Sequence, residues 1–211
     1  MRKLFFALLT VLTLAACSSD PVYHGITTEQ KEAYGKAVAG EYKGSYVIFY
    51  YGGSSDDKAV KIENSQMAIT DQDMHSVIFY GFPVRMLSTV VTDPALAEAL
   101  ASAPNVDIQA HYRFYDIQDN GDVNWGFEPV AIPLTLHYGG ATHHLTLKVN
   151  NGSYYYLLEK AKLDAGAPFS NQQIFSFAVA SIYEGDTLVQ DFDAVWEGNR
   201  PGFLTYFQLD K

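Results

Sequence analysis

Histidines on either side of a predicted hairpin turn are the residues best suited to hold a metal ion. His137, His143 and His144 flank the turn sequence Gly139-Gly140. With a two-residue turn, His137 and His144 lie diagonally on one face of the hairpin. Neutral imidazoles suit zinc or copper, so this pair predicts a metal site. A third ligand is not visible locally, and His111 would have to come from another strand. Solvated histidines on an outer face would give the same pattern.

Carboxylates occur in two arrangements that could support chemistry. The segment 116–124 has the composition of a calcium loop, but with Gly121 at the sixth position Gln118 stands where an acid is needed. A hairpin turn is the better interpretation. Asp191 and Asp193 alternate onto one strand face, where a carboxylate pair could act as general acid and base. Acids on a solvated strand face have the same spacing.

Aromatic side chains are the most suggestive feature for ligand binding. The chain has 15 Tyr, 13 Phe and 2 Trp, and several tyrosines come in runs, so both faces of a strand carry rings. One face should pack the core, and rings on the other could stack on sugars or bind a partner unless helices cover them. The predicted ligand-binding residues are Tyr50, Tyr154, Tyr156, Trp125 and Trp196.

Alternating apolar residues separated by turns predict the elements that position these side chains. They indicate about nine β-strands and no β-α-β alternation. Thr27 and Gln30 form a capping box at the start of a helix, and Asp93-Pro94 begins a short inserted helix. The predicted fold class is mainly β, either an antiparallel barrel or a two-sheet sandwich, with an N-terminal helix and one short inserted helix.

Three further patterns make local predictions. A change of phase near Asn64-Ser65 indicates a β-bulge. Pro133 favours an edge strand or a bulge, because proline cannot donate to a strand ladder. Apolar residues from Tyr154 to Leu163 predict a strand that follows the histidine hairpin.

The first residues of the chain have the layout of a targeting segment. Arg2 and Lys3 form a basic region, and residues 4–14 form an apolar run that suits a signal peptide and is too short to span a bilayer. Leu14-Ala15-Ala16-Cys17 follows and contains the single cysteine of the chain. This sequence resembles the lipobox of bacterial lipoproteins.

The lipobox resemblance implies a membrane anchor. Residues 1–16 would be a signal peptide, residues 17–26 an acylated Cys17 with its tether, and residues 27–211 a single β-rich domain. Acyl chains such as palmitate on Cys17 give stable membrane attachment. Ser18 stands where aspartate would retain a lipoprotein in the inner membrane, which predicts the outer membrane and leaves the periplasmic or external side open.

Composition excludes several classes of protein. A net charge of −10, which becomes −12 without the signal peptide, leaves no basic face for nucleic acid. One cysteine excludes a disulfide framework and a cysteine-based zinc site. The sequence has no nucleophile elbow, phosphate loop or zincin helix, so we expect no cofactor and no catalytic residue.

Short motifs resemble further families. Residues 40–47, Gly-Glu-Tyr-Lys-Gly-Ser-Tyr-Val, resemble the first strand of calycin-like lipoproteins of Bacteroidales, and Phe82-Pro83-Val84 with the later tyrosine-rich hairpins is similar to a related Bacteroidales lipoprotein family of unknown function. These resemblances imply a lipocalin-like barrel or a flattened relative. Asp186-Thr187-Leu188 resembles the O-glycosylation sequon of Bacteroidetes secreted proteins, which makes Thr187 a predicted glycosylation site.

The predicted function is a non-enzymatic binding module, held at the cell envelope, for a lipid, a glycan or a small apolar ligand. A structural lipoprotein that docks another envelope protein is the alternative, and a hydrolase that uses the region of Asp191 and Asp193 is a third. An apolar cavity would favour the binding module, and an exposed flat aromatic patch would favour the docking lipoprotein. Two buried carboxylates in a cleft would favour the hydrolase.

Overall fold

Eleven antiparallel strands form one curled sheet in the computed structural model, which describes residues 25–50, 58–71, 76–151, 156–170, 173–192 and 203–210. The strands are β1 Gly40–Tyr50, β2 Lys58–Thr70, β3 Ser76–Phe82, β4 Val106–Ile117, β5 Val123–Pro129, β6 Ile132–Tyr138, β7 Ala141–Asn151, β8 Tyr156–Leu158, β9 Ile174–Glu184, β10 Thr187–Asp191 and β11 Phe203–Leu209. The helices are α1 Thr28–Val38, a 3₁₀ helix Val84–Thr89, α2 Pro94–Ala101 and α3 Lys160–Asp164.

The strand order shows why the sheet must curl. It runs β6-β7-β9-β11-β1-β2-β3-β4-β5-β8, with β10 paired to β9. Strands β5 and β6 stand near opposite ends of this order, yet only Val130 and Ala131 join them. Such a link spans at most about 11 Å, so the two ends of the sheet must approach each other. The mainly β, barrel-like prediction is confirmed, as a curled half-barrel of one sheet rather than a two-sheet sandwich.

A tyrosine side chain links the β8 end of the sheet to β9. Strand β8 pairs with β5, and the backbone N–H of Ser176 on β9 donates to the hydroxyl of Tyr156 at 2.8 Å. The Tyr156 hydroxyl lies 3.3 Å from the Ser176 carbonyl, to which it donates. Tyr156 therefore satisfies two backbone groups of β9 while its ring stays buried.

The inner face of the sheet is filled with aromatic rings. Along residues 107–114 of β4, exposed and buried side chains alternate, which confirms the predicted alternation. Phe79 lies at the centre of the core and is fully buried. Four rings surround it at centroid distances of 5.2–6.2 Å. They belong to Phe127, Phe175, Phe177 and Phe207.

Most local predictions agree with the structure. Thr27 caps α1 with Gln30 in a capping box, Asp93 caps α2, and β6, which contains Pro133, is the last strand at its end of the sheet. Strand β5 was not singled out by alternation, because its central residues 125–127 are all buried.

The predicted strand from Tyr154 to Leu163 is wrong over its second half. Residues 154 and 155 lie outside the described part of the chain, β8 has three residues, and residues 160–164 form α3. The backbone N–H of Lys160 donates to Asp122 Oδ1 at 2.8 Å. This contact, across 38 residues of sequence, holds the first turn of the helix where the apolar pattern predicted a strand.

The predicted bulge lies between β1 and β2, next to a glycine, Gly44, that contacts β11. The register shifts between Gly44 and Tyr46, and Asn64 on the opposite strand has a φ of 58°. A Cβ on Gly44 would lie 2.4 Å from the carbonyl oxygen of Gln208 and 2.6 Å from the ring of Phe207. Strand β11 therefore approaches β1 as closely as a residue without a side chain permits.

Replacing Gly44 with alanine should lower the free energy of unfolding by about 1–3 kcal/mol, because the added methyl group overpacks a contact with a backbone atom. Urea unfolding followed by circular dichroism measures the change. Lys43→Ala, at the exposed neighbouring position, is the control and should change stability by less than about 0.5 kcal/mol. Equal stability of the two variants would contradict the close approach of β11.

Candidate functional site

The structure brings together two of the five predicted ligand-binding residues. Trp125 on β5 and Tyr156 on β8 are both buried, with ring centroids 6.0 Å apart. Tyr154 and Trp196 lie outside the described residues, and of Tyr50 only the backbone at the end of β1 is described. The described part of the predicted aromatic site is therefore inside the sheet rather than on its surface.

Trp125 packs among aromatic rings and has a polar atom without a partner among the described residues. Its centroid lies 6.0 Å from that of Tyr112, 5.7 Å from Phe169 and 5.9 Å from Phe175. The side chain is 1% exposed, and among the described residues no acceptor receives a hydrogen bond from its Nε1–H. An unpaired buried donor costs about 1–3 kcal/mol, so this group needs an explanation.

A cleft of about 330 Å³ lies beside this cluster. Ala37 and Ala39 at the end of α1 form one wall, and residues 166–170, which follow α3, form another. Tyr42 and the C-terminal residues 209–210 complete the lining. This volume falls in the range of small-molecule sites, about 300–1,000 Å³.

Phe169 belongs both to the cleft and to the cluster around Trp125. Its ring lines the cleft and packs on the indole. It also meets the ring of Tyr42 edge to face at 5.1 Å. Sequence reasoning missed Phe169, because it lies in an irregular segment without periodicity; an isolated aromatic residue in a loop was the available signal.

The two phenols near the cleft are uncharged over the physiological range. Burial raises the pKa of Tyr42 to about 12, and its hydroxyl donates to the carbonyl of Val38 at 2.7 Å. Burial, followed by the negative charge of Asp71, raises the pKa of Tyr112 to about 12. The carboxylate of Asp210 is the acidic group in the cleft lining.

A second cleft, of about 470 Å³, lies where the link between β5 and β6 crosses β4. Its lining consists of Val106, Asp107, Gln109 and residues 130–133, with no aromatic ring. Asp107 accepts a hydrogen bond from the backbone N–H of Gly81 at 2.8 Å. Among the described residues, the lining of this cleft has neither the aromatic rings nor the unpaired indole N–H found beside the first cleft.

The histidine hairpin has the predicted register. His137 lies opposite Thr142, and His144 lies opposite Thr135, and both histidines are exposed. Within the described ranges, no group of three or more His, Cys, Asp or Glu side chains is placed to hold a metal ion. The metal site at His137 and His144 stays a prediction.

His143 has different neighbours from the other two histidines. Its Nδ1 lies 3.1 Å from Glu184 Oε1 on β9, and its ring stacks on Tyr138 with centroids 3.8 Å apart. The contact with Glu184 ties the β6–β7 hairpin to β9, and the stacking on Tyr138 lies within the hairpin, so both contacts have a structural role.

The remaining predicted sites are only partly covered by the structure. Asp191 is half-buried at the end of β10, and Asp193 lies outside the described residues. Thr187 is exposed at the start of β10, and Cys17 lies in the segment 1–24, which is not described. Catalysis, glycosylation and acylation at these positions stay predictions.

The segment with calcium-loop composition forms a hairpin turn. It joins β4 to β5, and the backbone N–H of Gly121 donates to the carbonyl of Gln118 at 2.8 Å.

None of the helices in the described part of the chain has the length and hydropathy needed to cross a membrane.

Comparison with known proteins identifies a family without assigning a function. No curated protein and no solved structure gives a match to this chain. A family profile described as a domain of unknown function, DUF4840, matches residues 37–180. This span is more than half of the chain and contains Tyr42, Trp125 and Phe169. The chain therefore belongs to the DUF4840 family.

Proposed function

We propose that the protein is a non-enzymatic module that binds a small, largely apolar ligand such as a lipid, and that acylated Cys17 anchors it to the outer membrane. The observation that carries the ligand-binding part is the 330 Å³ cleft beside Trp125. The barrel-like fold is compatible with such a module. The anchor rests on the lipobox at residues 14–17.

The lining of the cleft is mixed in polarity. Alanine methyl groups, Pro168 and the rings of Tyr42 and Phe169 provide its apolar part, and backbone groups with Ser170 and Asp210 provide a polar part of similar exposed area. The apolar part would contact the body of a ligand, and the polar groups would fix its orientation. Asp210 and the net charge of −10 disfavour an anionic ligand, so the proposed ligand is neutral.

The proposed anchor would keep the cleft near a supply of lipids. Helix α1 begins at Thr28, eleven residues after Cys17. Even a fully extended chain of this length reaches only about 40 Å. Acylation of Cys17 would therefore hold the domain close to the membrane surface, where apolar ligands are concentrated.

The full chain with Cys17→Ser, which cannot be acylated, should bind the neutral fluorophore N-phenyl-1-naphthylamine saturably with one site per chain. Ala167→Trp, which fills the cleft, should weaken binding at least about ten-fold, a loss of about 1.4 kcal/mol. A fluorescence titration measures both affinities.

The matched control is Ala131→Trp, which makes the same change in the second cleft and should leave the affinity unchanged. Loss of binding in Ala131→Trp but not in Ala167→Trp would place the site in the wrong cleft and contradict the proposal. Absence of fluorophore binding, together with binding of soluble oligosaccharides, would favour a glycan-binding module instead.

A further inference from the structure

The indole of Trp125 is a buried hydrogen-bond donor that packs among aromatic rings. The ring contacts of Trp125 are with Tyr112, Tyr156, Phe169 and Phe175. The indole N–H is a donor and never an acceptor. With no acceptor among the described residues, it would gain a hydrogen bond from any ligand that brought a suitable oxygen.

The rings around Trp125 differ in how the fold holds them. Tyr156 is held by its hydrogen bonds to Ser176, and Phe175 is fully buried on β9. Phe169, in contrast, is half-buried and lies outside the helices and strands. Because Phe169 both lines the 330 Å³ cleft and packs on the indole, rotation of its side chain would let a ligand in the cleft reach Trp125.

The geometry points to a ligand whose neutral carbonyl oxygen accepts the Nε1–H of Trp125 while its apolar part occupies the cleft. This inference rests on the proposed function and names the chemical class of its ligand: an apolar ester, amide or ketone. A ligand that satisfies a buried donor should bind about ten-fold more tightly than an isosteric hydrocarbon.

The surroundings of the site favour a neutral carbonyl over a carboxylate. A buried carboxylate needs a cation or several donors to offset its desolvation. The residues in ring contact with Trp125 are uncharged, and the charged side chain in the lining of the cleft is the carboxylate of Asp210. An ionised ligand at the indole would therefore be desolvated and repelled without an opposite charge.

A matched pair of probes tests the inference on the full chain with Cys17→Ser. 2-Propionylnaphthalene and 2-propylnaphthalene have the same skeleton and differ in a carbonyl group. Competition against N-phenyl-1-naphthylamine should show about ten-fold tighter binding of the ketone. Trp125→Phe should remove this preference while changing the affinity for the hydrocarbon less than two-fold. Tyr80→Phe, at an exposed position of β3 outside the cleft, should retain it.

A second measurement does not depend on the folding of Trp125→Phe. In the Cys17→Ser chain labelled with ¹⁵N, the ketone should move the indole N–H proton resonance of Trp125 downfield, and the hydrocarbon should not. Trp196→Phe assigns this resonance, because the chain has two tryptophans.

The outcomes separate this inference from the proposed function. If neither probe binds, the proposed function fails. If both bind with equal affinity, or if the ketone preference survives in Trp125→Phe, the apolar site stands and the hydrogen bond to Trp125 is refuted. Tighter binding of 2-naphthoate than of the ketone would refute the neutral carbonyl.

Discussion

Replacing Phe79 with alanine should lower the free energy of unfolding by about 3–5 kcal/mol. Phe79 is fully buried and its ring meets four others, so its removal leaves a cavity that no single neighbour can fill. Small domains are stable by only about 5–15 kcal/mol, and the variant should therefore unfold at a much lower urea concentration. Equilibrium unfolding followed by far-ultraviolet circular dichroism measures the loss.

The control for this prediction is the next residue on β3. Tyr80 is 38% exposed, and its backbone carbonyl, which accepts a hydrogen bond from Tyr46, remains in Tyr80→Ala. This substitution should cost less than about 1 kcal/mol, because little apolar area is lost from the core. Similar losses in the two variants would mean that the aromatic core is not centred on Phe79.

Replacing Cys17 with alanine should abolish lipid attachment. The loss should be complete because Cys17 is the single cysteine of the chain, and the lipobox resemblance makes its thiol the group that receives the lipid. Incorporation of labelled palmitate measures the loss.

The adjacent serine provides the control for the anchor. Ser18→Ala keeps the cysteine and should be acylated like the unaltered protein. Incorporation of palmitate into Cys17→Ala, or none into the unaltered protein, would refute the lipid anchor at Cys17. It would leave the ligand-binding proposal intact, because the cleft is formed by residues between 37 and 210.

Local elements were predictable because they depend on residues that are close in sequence. The capping box of Thr27 and Gln30 spans three residues, and the two-residue turn at Gly139-Gly140 sets the register that places His137 opposite its threonine. Pro133 was correctly placed in an edge strand, because its missing N–H would otherwise interrupt a ladder.

The arrangement of the strands was beyond the same reasoning. Strand β1 pairs with β11, so that Gly44 lies opposite Leu209, and no local pattern encodes such a distant partner. The choice between barrel and sandwich depends on these long-range pairings. Lys160 shows the same limit on a smaller scale, since its distant contact with Asp122 holds the first turn of α3.

The candidate site was only half predictable. Trp125 and Tyr156 were named for their ring chemistry, but their burial on the inner face and the bond from Tyr156 to β9 depend on how the sheet curls. Phe169 and the cleft were missed, because the lining comes from three distant segments of the chain.

Amino-acid order alone is sufficient to predict a mainly β chain with helices beginning near Thr27 and Asp93, because periodicity and capping act over a few residues. The same order predicts the anchor at Cys17. The folded chain decides that one sheet curls into a half-barrel, that Trp125 has no acceptor among the described residues, and that Phe169 contacts both Trp125 and a cleft. These features arise from contacts between residues far apart in sequence, and such contacts follow from packing rather than from any local pattern.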